Sequence, residues 1–271
     1  MLNRREFSKA TLLGLAAAEA AASGSALAQQ AEPGRPPNAP GAGVALRVAA
    51  VIYPDMILLD LAGPMTVFNV MRADIQLVAR AKSPVRTDVG ISLSPTMTFD
   101  EALAEVDVLF VPGGLGGTVA AMNDADTVAF VRACGGTARY VTSVCTGSLL
   151  LGAAGLLAGY EATSHWYVRD LLPLMGARLK AGRVVIDRNR ITGGGVTAGL
   201  DFGLEMARQI RGEETARLIQ LLLEYDPKPP FDAGSPEHAG PELTQRVRKA
   251  RDAAISAARE AATQAGTRLK L

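Results

Sequence analysis

From Leu46 onward, apolar residues follow two alternating rhythms. Leu46–Tyr53, Ile75–Ala81, Val106–Val111 and Tyr140–Val144 are short, nearly continuous apolar runs, as strands buried on both faces require. Between and after them the apolar positions recur at helical spacing: over Leu61–Met71 with Pro64 in the first turn, Thr118–Ala133, Thr146–Leu157, Thr197–Arg211 and Glu213–Tyr225. Phe202, Met206 and Ile210 share one helical face. Val85–Phe99 alternates around Gly90 and predicts a hairpin or irregular strand pair. Farther on, the pattern predicts a short strand at Ala162–Ser164, a helix over His165–Met175, and two strands in Ala177–Thr192 turning at Asp187-Arg188-Asn189. The alternation specifies an α/β fold, a three-layer sandwich with a mostly parallel sheet. Ligands in such folds bind outside the carboxyl ends of the strands, where three segments should meet. They are the loop after the first strand, the glycine loop after Val111 and the turn after Val144.

Ahead of this domain, Arg4 and Arg5 precede an alanine-rich stretch from Ala10 to Ala22, then Ala26-Leu27-Ala28, a small-x-small cleavage pattern. Residues 1–28 therefore read as a twin-arginine export signal, which places the mature protein in the periplasm. The apolar stretch is too short, and with Glu19 too polar, to remain as a membrane anchor. Residues 29–43, rich in Pro, Gly and Ala, read as a tether, 44–239 as the folded domain and 240–271 as a helical extension. Cleavage removes three of 28 basic and two of 27 acidic residues, leaving zero net charge. That balance favours a small or neutral partner over nucleic acid or an anionic membrane.

Against this background the candidate chemistry centres on Cys145. It ends a strand and opens a helix, a strand-to-helix elbow with small residues, Ser143 and Gly147, on either side. Free N–H groups and the positive end of the helix dipole face the sulfur there, which favours a thiolate. The competing reading is a small buried core cysteine. The second cysteine, Cys134, closes the preceding helix; a six-residue strand of roughly 20 Å separates the two, beyond the limit of about 7 Å between disulfide-linked Cα atoms. Asp60 lies among aliphatic neighbours ahead of a helix, as a carboxyl group raised in pKa by desolvation or as an N-cap. Gly113, Gly114, Gly116 and Gly117 allow close backbone approach, and their N–H groups with that of Thr146 would form an oxyanion-type hole. His165, beside Trp166, is either a packing residue or a base within reach of Cys145. His238 lies in a Pro-rich segment, and no residue set has zinc spacing, so no metal is expected.

Several motifs recur together: Leu59-Asp60-Leu61-Ala62-Gly63-Pro64, Val111-Pro112-Gly113-Gly114, Thr142-Ser143-Val144-Cys145-Thr146-Gly147-Ser148, Thr163-Ser164-His165-Trp166 and Thr192 to Phe202 with its three glycines. With Leu223-Glu224-Tyr225 and the Pro229–Pro236 segment, they resemble the DJ-1/PfpI superfamily, and within it the isonitrile hydratases, from about Leu46 to Ala239. The resemblance implies a flavodoxin-like, class I glutamine amidotransferase-like domain. Cys145 would be the nucleophile, Asp60 the acid/base and Thr146 a contributor at the site, with Val196 approaching through its backbone. It implies hydration of an isonitrile to an N-substituted formamide through a Cys145 thioimidate, without cofactor, in a homodimer. Thr146 stands where the peptidase-like branch has His, and Asp60 where the DJ-1 branch has Glu, so peptidase activity is not expected. Related domains also occur in regulators with paired helix-turn-helix motifs, but Pro241–Arg268 predicts one charged helix suited to subunit packing. The alternative function is an exported, non-catalytic redox sensor or ligand-binding protein in which Cys145 is oxidised.

Overall fold

A computed structural model describes residues 45–102 and 106–271. The expected export signal and tether lie outside the described residues. Seven strands form the central sheet: β1 (Arg47–Val51), β2 (Asp74–Ala79), β5 (Met97–Thr98), β6 (Val108–Val111), β7 (Tyr140–Ser143), β10 (Val184–Asp187) and β11 (Arg190–Gly193). Their spatial order is β10-β11-β7-β6-β1-β2-β5, and every pairing is parallel except β10 with β11. Two small ribbons lie outside this sheet, β3 (Val85–Arg86) with β4 (Ser92–Leu93), and β8 (Glu161–Ala162) with β9 (Arg178–Leu179). The expected hairpin is thus the β3–β4 pair, while the end of the same segment turns away to edge the main sheet as β5.

Helices α1 (Leu58–Val70), α5 (Ala198–Arg211) and α6 (Glu213–Leu222) form one outer layer. The other contains α2 (Leu115–Asn123), α3 (Ala125–Thr137), α4 (Gly147–Ala153), a 3-10 turn (Arg169–Met175) and α7 (Pro236–Leu269). The architecture is a flavodoxin-like α/β sandwich. Phe110 of β6 meets Phe68 of α1 edge-on at 6.1 Å and stacks on Phe202 of α5 at 5.5 Å, so aromatic packing fastens the first layer to the middle of the sheet. All three rings are fully buried.

Several elements differ from their sequence expectation for identifiable reasons. The single helix expected over Thr118–Ala133 is two, because Asp124 leaves helical geometry and caps the second by accepting from the Thr127 amide at 3.2 Å. Helix α1 begins at Leu58, which puts Asp60 inside its first turn; Ile57 is the N-cap. The cap reading of Asp60 is therefore replaced, and Asp88, accepting from the Leu58 amide at 2.9 Å, satisfies that helix end from a neighbouring loop. The helix expected over His165–Met175 is confined to the 3-10 turn, which leaves His165 in the loop ahead of it. Helix α7 bends at Gly240, whose φ of 77° interrupts it, and continues from Pro241 as expected. Its alanine face, Ala258, Ala261, Ala262 and Ala265, is buried against α2, α4 and the 3-10 turn of its own chain rather than held open for a second subunit.

Candidate active site

β7 and α4 meet at Cys145, whose φ of 57° is left-handed backbone, a conformation costing a residue with a Cβ about 1–3 kcal/mol. Hydrogen bonds on both sides hold it there. The Cys145 amide donates to the Gly194 carbonyl at 2.7 Å. Its carbonyl accepts from the Ser164 hydroxyl at 2.9 Å and from the His165 amide at 3.3 Å. Gly147 completes the turn because a Cβ there would lie 2.2 Å from the Val111 carbonyl oxygen. Three loops thus fix one sulfur at the carboxyl edge of the sheet.

Asp60 comes to the same point from α1. Its Oδ2 accepts from the Gly113 amide at 2.9 Å, and a Cβ added to Gly113 would lie within 2.8 Å of Asp60 Oδ2, the Thr146 amide nitrogen and Cys145 Cβ alike. The three groups therefore converge around a residue that has to be glycine. Both Cys145 and Asp60 are 0 % exposed. Burial pushes the Asp60 carboxyl up to about 7, against the downward pull of its interactions with the Cys145 thiol and the Gly113 amide. Burial, and then the charge of Asp60, push the Cys145 thiol well above its ordinary range, although the N–H groups of Thr146 and Val196 favour its anion. The thiolate expected from the helix dipole alone is overruled by burial first and by this neighbour second. At neutral pH the two acids hold one proton between them in part of the population, the carboxyl ionising first.

The amides of Gly113 and Gly114 do not face an open site as an oxyanion hole would require. Gly113 donates to Asp60 and Gly114 donates to Thr146 Oγ1 at 2.9 Å. Thr146 Oγ1 lies 2.7 Å from Thr118 Oγ1, which lies 3.1 Å from the Tyr53 hydroxyl, and Tyr53 donates to the Pro112 carbonyl at 2.5 Å. A carbonyl only accepts, so this chain has one direction that uses every hydrogen once: Thr146 to Thr118, Thr118 to Tyr53, Tyr53 to Pro112. The buried hydroxyls are thereby satisfied, and the glycine loop is pinned beside Asp60. The N–H groups that remain directed at the sulfur are those of Thr146 and Val196.

His165 does not pair with the thiol; among the described residues no hydrogen bond joins its ring to Cys145. The ring packs on Tyr167 at 3.8 Å between centroids, and burial followed by the positive charge of Arg251 holds its imidazole at about 4, hence neutral. It forms the wall of a cavity of about 350 Å³ together with Ile57, Trp166, Tyr167, Val196 and Arg251. Tyr53, Thr118 and Arg251 carry no sequence motif that marks them; distant elements bring Tyr53 and Thr118 to the hydroxyl chain at Thr146 and Arg251 to this cavity. Cys134 and Cys145 are both free thiols, and no metal-ligand cluster occurs among the described residues. No helix among the described residues is long and apolar enough to cross a membrane.

Residues 46–209 match the DJ-1/PfpI family. Isonitrile hydratase from Pseudomonas putida is 44 % identical over 229 residues, covering 84 % of this chain and 100 % of that protein. A crystal structure of a ThiJ/PfpI family protein from Pseudomonas syringae superposes with a TM-score of 0.80 at 45 % identity, covering 87 % of this chain and 99 % of that one. The helix-turn-helix-type transcriptional regulator GbdR of Pseudomonas aeruginosa is 34 % identical over 143 residues, only 37 % of its own length. Family match, full-length relative and superposed fold agree with the elbow and its neighbours: the chain belongs to the DJ-1/PfpI family.

Proposed function

We propose that this protein hydrates an organic isonitrile to an N-substituted formamide, with Cys145 as nucleophile and Asp60 as proton carrier. The observation that carries the reading is the convergence of a buried thiol and a buried carboxyl on Gly113, with Asp60 raised to about 7. The identity with Pseudomonas putida isonitrile hydratase supports the same class of reaction.

An isonitrile adds both nucleophile and proton at its terminal carbon, so the chemistry calls for a thiol and a base that can carry that thiol's proton a short distance. As sulfur bonds to the carbon, Asp60 accepts the thiol proton and passes it to the same carbon, which gives the thioimidate R–N=CH–S–Cys145. Water then adds to the thioimidate carbon while nitrogen gains a proton. The tetrahedral adduct forms its carbonyl, expels the Cys145 sulfur and releases R–NH–CHO, and the remaining proton returns to the thiol and carboxyl pair. One water is consumed in the cycle. The Thr146 and Val196 N–H groups favour sulfur when it leaves as an anion.

Burial of Cys145 and the upward push on its thiol weigh against a redox sensor, which needs an accessible thiol of low pKa. The test is formamide production from a simple aryl isonitrile by the purified protein, with quenched samples examined for a mass increase on the Cys145 peptide equal to the isonitrile. Turnover with that adduct is expected; absence of both would overturn the reading.

A further inference from the structure

We propose that the substrate pocket contains an anion subsite at Arg251, so that the preferred substrate is an isonitrile whose R group is apolar next to the reacting carbon and ends in a carboxylate or comparable anion. This rests on the hydratase reading for the reacting group but on separate residues for the R group. Helix α7 brings Leu243, Val247 and Arg251 to the cavity that Val196 and His165 also line. Ile57, Trp166 and Tyr167 make the intervening wall largely apolar, and Arg251 is the charged side chain among the residues that line it.

That guanidinium has no carboxylate opposite it: the ion pairs of the described residues include none made by Arg251. The neighbouring α7 arginine, Arg248, sits over the ring of Trp166, one of the cavity's lining residues, at 5.1 Å. Neutral His165, whose Nδ1 is buried without a hydrogen-bond partner, brings no competing negative charge. Asp60, the nearest carboxyl to the reacting atoms, is buried and engaged with Gly113. The cavity therefore adjoins the Cys145 elbow through Val196, whose N–H faces the sulfur, and His165, whose amide donates to the Cys145 carbonyl, and it combines an apolar wall with one cationic side chain. A guanidinium presents paired donors that suit a carboxylate, and its field raises the local concentration of anions around it.

The experiment compares an aryl isonitrile bearing a carboxylate with its uncharged carboxamide counterpart. We expect kcat/KM of the wild-type protein to favour the carboxylate by about tenfold, the effect of one charge-assisted contact. Arg251→Gln should collapse that ratio toward one, Arg251→Lys should keep part of it, and the change should lie in KM. An equal ratio in wild type and Arg251→Gln would overturn the subsite. A second readout stands apart from turnover: 3-phenylpropanoate should slow alkylation of Cys145 by iodoacetamide more than 3-phenylpropanamide does, and Arg251→Gln should abolish the difference. If neither isonitrile is turned over but this protection survives, the hydratase reading fails and the anion subsite stands; equal protection by acid and amide overturns the subsite whatever the turnover.

Discussion

Cys134 and Cys145 are eleven positions apart, both free thiols and both raised in pKa by burial, yet their surroundings differ. Cys134 lies in the last turns of α3 with ordinary helical neighbours, and burial alone lifts its thiol to about 11. Cys145 is held in a left-handed backbone conformation by partners from the segments at Gly194 and Ser164, has a carboxyl beside it, and receives two N–H groups at sulfur. What sets Cys145 apart is what fixes and borders it. A low resting pKa is not part of that difference; in the proposed reaction the thiol keeps its proton until Asp60 takes it.

The strongest way to break this contrast is to exchange the two cysteines' fates. Cys145→Ala should reduce formamide production below about one-thousandth of wild type, as loss of a nucleophile does, whereas Cys134→Ala should leave kcat unchanged. Comparable losses in both variants, measured on folded protein, would remove the distinction. Next in size, Asp60→Asn should lower kcat by about 10²- to 10⁴-fold, the usual worth of a positioned proton-transfer group. The same variant should alkylate faster at Cys145 near pH 8, because removing the negative neighbour lowers the thiol pKa. Slower hydration with slower alkylation would mean that Asp60 acts chiefly to hold the elbow together.

A smaller effect sharpens the contrast at its border. Thr118→Val removes the link between Thr146 and Tyr53, leaving two buried hydroxyls each short of a partner. It should cost about 1–3 kcal/mol of stability and reduce kcat by several-fold at unchanged alkylation stoichiometry; unaltered thermal unfolding and turnover would show the chain to be incidental. Smallest, Cys145→Gly should be more stable than Cys145→Ala by about 1 kcal/mol, since glycine takes the positive φ without penalty. Equal stability in denaturant titrations would mean that the elbow relaxes once sulfur is gone.

Much of this was legible in the sequence because the relevant signals are local. The apolar runs of β1, β6 and β7 and the small residues around Cys145 sit in unbroken stretches, so the sheet and the elbow could be placed from their patterns. Asp60 was identifiable as a buried carboxyl, but its position within α1 was not, since Asp88, the residue that satisfies that helix end, lies 30 positions from Leu58. The split at Asp124 could have been read from Asn123-Asp124 ahead of Thr127, a cap signal masked by the helical spacing on either side. The occupancy of the Gly113 and Gly114 amides, and the arrival of Tyr53, Thr118 and Arg251 at the site, depend on tertiary contacts with no local signature. The sign of the Cys145 shift followed the same rule: the helix terminus is visible in sequence, whereas the burial that outweighs it, and the carboxyl from α1 that adds to it, depend on tertiary packing.

The proposed chemistry needs a thiol and a carboxyl that work with one proton between them, and the pH dependence of kcat/KM for an uncharged aryl isonitrile tests this most directly. Because burial raises Asp60 to about 7, the carboxyl is protonated below that pH and cannot accept the thiol's proton. kcat/KM should therefore fall by about tenfold per pH unit below 7, and this limb should disappear in the residual activity of Asp60→Asn. A profile flat from pH 8 down to pH 5, or one whose fall survives in Asp60→Asn, would contradict it.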